Sequence, residues 1–309
     1  MGNLSSIFFS PVIFIELFIE LFLLIILLYA SVQATFIIKN YKQDSISDIK
    51  SYVEKKSYLL GVLVPIALFV KILLVAFFTY GLDSLSEVVP GAMCVTGVLN
   101  TNEYGSFIII LKLIVLLLSS LWIVLNKQDL QSTQGAFFLK KMKLFLLLFF
   151  VLIFEFVIVI LFLSNIDTQL PVSCCSTKII GQVNPLPFGI NEISLLSLFY
   201  GFYFLVLLSA YKQTRLVLGM STLLFAYFSY YAVTYYFSSY IYEIPLHHCP
   251  YCMLQEEYYF FGYFLYASFF IFIFYSASSS IFKVEAKNFI KVIVWATIFV
   301  AIITGTILK

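Results

Sequence analysis

Charge is what this 309-residue chain has least of: Asp, Glu, Lys and Arg together make up 11% of it, and histidine occurs twice. A water-soluble domain needs more polar surface than that, so a soluble fold is excluded. The chain has no glycine-rich phosphate-binding loop, no serine-triad pattern and no broad basic patch, which sets aside nucleotide hydrolysis, serine hydrolysis and nucleic-acid binding. The first 38 residues hold no Lys or Arg. The basic n-region of a secretory signal is therefore missing, and the first apolar run is expected to stay as a helix.

What is present is hydrocarbon, with 62% of residues hydrophobic and 19% aromatic. Eight apolar runs are each long enough to span a bilayer: Val12 to Ile38, Tyr58 to Tyr80, Phe107 to Leu125, Leu144 to Ser164, Ile193 to Tyr211, Val217 to Ser239, Tyr258 to Phe282 and Phe289 to Leu308. No soluble domain fits between them. The predicted fold is all-α, a polytopic integral membrane bundle of about eight helices in which residues 1–309 form a single transmembrane domain.

The net charge of +2 says little about partners, but the placement of the charges says more. Lys39, Lys42, Lys50, Lys55 and Lys56 follow the first run. Lys127, Lys140, Lys141 and Lys143 follow the third, Lys212 and Arg215 the fifth, and Lys283, Lys287 and Lys291 the seventh. The positive-inside bias puts these segments in the cytoplasm and both termini outside. The first inner segment, Lys39 to Lys56, is expected to be a solvated connector, with a short surface helix that lays Tyr41, Ile46, Ile49 and Tyr52 against lipid head groups as the alternative, and Asn126 to Lys143 a featureless connector that fixes orientation. The intervening outer loops, 81–106, 165–192 and 240–257, contain all five cysteines, Cys94, Cys174, Cys175, Cys249 and Cys252. The expected setting is an inner (plasma) membrane, with the cysteines on its oxidising periplasmic or extracellular face.

Each outer loop has a proline followed four residues later by a cysteine: Pro90 and Cys94, Pro171 and Cys175, Pro245 and Cys249. An acidic residue precedes each proline, at Glu87, Asp167 and Glu243. The spacing suggests a helical hairpin used repeatedly, with a cysteine displayed at its outer turn. Within the apolar runs, Glu16, Glu20, Lys71 and Glu155 require partners or a water-filled path. Glu16 and Glu20 share a helix face with Lys71 at a compatible depth. A structural ion pair or a proton route explains them, and Glu155 has no obvious countercharge. Aromatics from Phe225 through Tyr275 serve an interfacial belt, packing between helices, or a flat pocket for a quinone or haem.

His247-His248-Cys249-Pro250-Tyr251-Cys252 gathers both histidines and two cysteines into six residues. With Pro250 at the first helical position, Cys249 becomes an N-cap and Cys252 lies in the first turn, where the helix dipole lowers a thiol pKa. Cys249 is then the more exposed thiol and the first to react. Such a pair suits thiol–disulfide exchange, one sulfur attacking and the other closing the ring. The run Cys249-Pro250-Tyr251-Cys252-Met253-Leu254-Gln255, leading into a membrane helix, resembles the Cys-x-x-Cys-x-x-Gln opening of bacterial disulfide-forming quinone reductases. Glu256 stands where that family has Arg, and eight helices replace its four. The resemblance implies a quinone-proximal pair at Cys249 and Cys252, a quinone cofactor and a periplasmic thiol protein as partner. It also requires a second pair from Cys94, Cys174 and Cys175. A second chemistry is open: His247, His248, Cys249 and Cys252 form a nitrogen and sulfur set suited to copper or zinc. A third is a structural membrane subunit whose outer loops are tied by disulfides.

Overall fold

The computed structural model describes residues 7–8, 10–40, 47–131, 137–172, 174, 186, 189–244, 247–282 and 286–308. Among the described residues, eight helices are long and apolar enough to cross a membrane. They are α1 (Pro11–Asn40), α2 (Ser47–Leu85), α3 (Tyr104–Gln131), α4 (Phe138–Ser164), α5 (Glu192–Tyr211), α6 (Arg215–Tyr242), α7 (Phe261–Ile281) and α8 (Ala286–Gly305). All eight expected runs are found, because a bilayer leaves backbone N–H and C=O groups no partner outside the helix itself.

α1 shows how the sequence sorts its faces. Phe14, Phe18, Phe22, Ile25, Tyr29, Val32 and Phe36 recur every three to four residues and stay exposed, a largely hydrocarbon stripe for lipid. The opposite stripe, Ile13, Glu16, Glu20, Leu23, Leu27, Ala30, Ala34 and Ile37, is buried and includes both carboxylates. The chain is thus more polar inside than out. That ordering is stable only where the surrounding solvent is apolar.

The helices gather into two compact units. One comprises Met1–Pro90 and Val98–Pro171, and the other Gly91–Gly97 and Val172–Lys309. In the first, α1 packs on α2 and α4, and α3 packs on α2 and α4, closing a four-helix ring. The second repeats the scheme: α5 on α6 and α8, α7 on α6 and α8. The sequence carries a composition shift between these units: the spans of the first have mean hydropathies of 2.7 to 3.3 and those of the second 1.6 to 2.0, and 16 of the 22 tyrosines lie in the second. The segment between α2 and α3 lends Gly91–Gly97 to the second unit, and Cys94 with it.

Two connector expectations are corrected. The first inner segment is not wholly a connector, because α2 already begins at Ser47. The stretch expected to be featureless, Asn126 to Lys143, has structure where it is described, in the adjoining ends of α3 and α4. Lys141 is buried, its Nζ 2.5 Å from Asp129 Oδ2 and 3.2 Å from Asn126 Oδ1, while Asn126 Nδ2 donates to the Gly61 carbonyl at 2.9 Å. A buried ammonium needs such partners, and these fix the ends of α2, α3 and α4 together.

Candidate functional site

The segment from Tyr242 to Phe261 does not begin α7 at Pro250. α6 stops where Glu243 turns left-handed (φ 57°), and Cys252–Leu254 and Glu256–Tyr258 form two short 3-10 turns. Tyr259 and Phe260 are both left-handed (φ 53° and 55°), and α7 starts only at Phe261. Cys249 is accordingly no helix N-cap. Tertiary hydrogen bonds override the local proline signal. The Tyr242 hydroxyl donates to the Cys249 carbonyl (2.5 Å) and accepts from the Met253 N–H (3.0 Å), and the Tyr266 hydroxyl donates to the Pro250 carbonyl (2.5 Å). These phenols satisfy backbone groups that would otherwise need a helical ladder.

Cys94 stands just before a short helix, Val95–Leu99, with the Gly97 N–H donating to its carbonyl at 2.9 Å. Gln255 Nε2 donates to the Met93 carbonyl at 3.0 Å and so ties this segment to the Cys252 turn. Two glycines admit the segment that brings Cys174. Gly91 has a positive φ of 79°, and a Cβ there would lie 2.6 Å from the Val172 carbonyl oxygen. A Cβ on Gly97 would lie 2.6 Å from Ala92 Cα and 3.4 Å from Cys174 Sγ. Any larger residue at either position forces the cysteine segments apart.

Three interhelical segments thereby place four sulfurs in contact. Cys94 Sγ lies 3.8 Å from Cys174 Sγ and 3.6 Å from Cys249 Sγ. The Sγ atoms of Cys94, Cys249 and Cys252 all lie within 4.8 Å of one another. These are thiol contacts, longer than the roughly 2.05 Å of an S–S bond. The Tyr251 N–H donates to Cys249 Sγ at 3.4 Å, and Thr96 Oγ1 is 3.2 Å from the same sulfur. Burial raises the Tyr251 phenol above its ordinary range, with Tyr230, Cys249 and Cys94 adding to the shift, so it stays a neutral donor. All four cysteines are buried, and Cys249, at 0% exposure, is no more exposed than Cys252 at 5%. The expectation that Cys249 is the exposed thiol is overturned. Cys175 and Pro245, with which the loop repeat was framed, lie outside the described residues.

The histidines sit beside the sulfurs without joining the mutually close group. His247 packs edge-on against Tyr242, ring centres 4.5 Å apart. His248 lies over Tyr235 at 5.2 Å, with Nδ1 3.5 Å from Ser238 Oγ. That serine donates at 2.6 Å to the Thr234 carbonyl in a single π-helical turn, Ala232–Phe237, inside α6. Burial is the main cause that lowers the His248 pKa, which favours the neutral imidazole. Deeper aromatics pack on one another: Phe225 is fully buried, with Phe199, Phe272 and Phe299 at ring distances of 5.4, 5.6 and 6.1 Å.

In the first unit, Glu155 does have countercharges. Lys112 Nζ is 2.9 Å from Glu155 Oε1, and Lys71 Nζ is 3.0 Å from Glu155 Oε2. Lys71 also pairs with Glu20, as expected, while Lys112 was not foreseen. Its signal was available, because a lone lysine in the run Phe107 to Leu125 demands a carboxylate at its own depth.

Compared with protein-family models, with curated proteins and with solved structures, the chain matches none. Its chemistry therefore rests on the site alone. Four clustered thiols, two of them from a Cys-x-x-Cys turn, can exchange disulfides between neighbours or share a soft metal ion.

Proposed function

We propose that the protein is a membrane thiol–disulfide oxidoreductase that passes electron pairs from an external dithiol to a membrane quinone. The observation that carries this reading is the order of the sulfur contacts, Cys174 to Cys94 to Cys249, with Cys252 beside the last two. In the resting oxidised form, Cys94–Cys174 and Cys249–Cys252 are the two disulfides. An external dithiol reduces Cys94–Cys174 and leaves as a disulfide, giving up two electrons and two protons. The Cys94 thiolate then attacks Cys249, breaking Cys249–Cys252 and forming a Cys94–Cys249 bond. Cys174 attacks Cys94, restores the first disulfide and releases Cys249 as a thiol. The Cys249 and Cys252 pair, now reduced, returns two electrons and two protons to a quinone, which becomes quinol. The Tyr251 N–H and the Thr96 hydroxyl support a thiolate at Cys249 by donating to its sulfur. Basic residues in alternate interhelical segments support a position for the cysteines on the outer face of a plasma membrane.

A second reading is favoured by one feature, the mutual closeness of Cys94, Cys249 and Cys252. Three buried thiolates in that arrangement suit Cu(I), or Zn(II) with a fourth ligand. One experiment separates the two. Fully reduced, purified protein is mixed anaerobically with a soluble quinone, and thiols and bound metal are counted before and after. The redox reading expects thiols to disappear in pairs as quinol forms. Stoichiometric metal, with thiols that quinone leaves unchanged, favours the second.

A further inference from the structure

Five ionisable side chains meet inside the first unit, one or two from each helix of its ring. Glu16 and Glu20 come from α1, Lys71 from α2, Lys112 from α3 and Glu155 from α4, and no side chain among them is more than 6% exposed. Three carboxyls thus face two amines. Lys71 contacts Glu20 and, at 3.0 Å, Glu155. Lys112 lies 2.9 Å from Glu155 and 3.3 Å from Glu20, with its ammonium over the Phe78 ring at 4.0 Å. The two amines are therefore matched to Glu20 and Glu155. Glu16 is the remainder by distance: Lys112 approaches its Oε1 only to 3.8 Å, and that buried oxygen, like Glu20 Oε2 and the ion-paired Glu155 Oε2, has no hydrogen-bond partner among the described residues.

A buried interior tolerates matched charges but not a surplus one. The Born penalty on an uncompensated carboxylate, together with repulsion from Glu20 and Glu155, exceeds the cost of taking up a proton. We infer that the first unit holds a proton-binding site, in which the Glu16 carboxyl carries one exchangeable proton that balances three carboxyls against two ammoniums. The ligand is the proton itself. Every helix packed around Glu16 contributes to the count: Glu20 on its own helix, Lys71, Lys112 and Glu155 on the others. The number of protons held is the number of carboxyls less the number of amines, so the occupancy follows any change to either. The site draws on none of the sulfurs, and it stands or falls apart from the thiol reading.

Infrared spectroscopy of the purified protein in lipid, at a neutral pH where exposed carboxylates are ionised, reads this proton directly. The wild type is expected to show the carbonyl stretch of an un-ionised carboxylic acid, shifting when water is exchanged for D2O. Glu16→Gln should lose that band, and Lys112→Met, which removes one amine, should enlarge it. A wild-type spectrum without the band, as a bound sodium ion in place of the proton would give, overturns the inference whether or not the variants fold. A band that persists in a folded Glu16→Gln variant overturns it as well.

Discussion

Cys94 Sγ and Cys249 Sγ lie 3.6 Å apart although 155 residues separate them in the chain. Neither residue reaches the other through a helix face. The contact exists because Gly91–Gly97 packs in the second unit and because Tyr242 holds the Cys249 carbonyl in place. Sulfurs so placed can form a bond without large movement of the backbone.

The Tyr242 clamp is open to test. Tyr242→Phe leaves the Cys249 carbonyl and the Met253 N–H without their shared partner, at about 1–3 kcal/mol for each buried group left unsatisfied. Thermal unfolding in detergent should shift down, and reoxidation of the reduced protein by quinone should slow. An unchanged melting temperature would show that water replaces the phenol.

Burial sets the reactivity of the thiols towards reagents. Cys249 is fully buried and Cys94 likewise, so a membrane-impermeant maleimide should label them in the reduced, folded protein far more slowly than after unfolding. Mass spectrometry of labelled peptides over time gives the rates. Equal rates in folded and unfolded protein would contradict the packed arrangement.

Glu155 should be the costliest member of the intramembrane cluster to remove. Both Lys71 and Lys112 bond it, at 3.0 and 2.9 Å, so Glu155→Ala leaves two buried ammoniums short of a partner. A loss of about 3–5 kcal/mol is expected for breaking a buried pair in this way, read from unfolding in mixed micelles. A loss within the range of an ordinary surface substitution would mean the cluster is wet.

Gly97→Val tests the close approach of the cysteine segments. The added Cβ alone would lie 2.6 Å from Ala92 Cα, so the segment carrying Cys94 must move. Quinone-driven loss of thiols should fall while the helix content, by circular dichroism, stays constant.

The eight helices were legible in the sequence because lipid imposes one rule on every span, and runs such as Leu144 to Ser164, apolar but for Glu155, obey it. The membership of the site was legible in part. Cys94, Cys174, Cys249 and Cys252 were named from their loops, and the structure brings them together. The local geometry was not. Pro250 reads as a helix start, yet long-range bonds from Tyr242 and Tyr266 hold the chain in 3-10 turns until Phe261. Lys112 escaped for a related reason: a single lysine in a hydrophobic run carries no mark of its partner, which lies on another helix 43 residues away. Division into two units was not read from the sequence, although the spans from Glu192 onward are less apolar and that part of the chain holds 16 of the 22 tyrosines.

The relay through Cys94 and Cys249 is tested most directly by mapping disulfides in Cys252→Ser, purified under non-reducing conditions with no dithiol added. Its Cys249 thiolate, left without a disulfide partner, attacks Cys94, breaks Cys94–Cys174 and frees Cys174 as a thiol, so Cys249 should be found bonded to Cys94, while the parallel Cys249→Ser protein should show no bond between Cys94 and Cys252. Cys252→Ser protein in which Cys249 stays a thiol throughout, while Cys94 never leaves Cys174, would contradict the account.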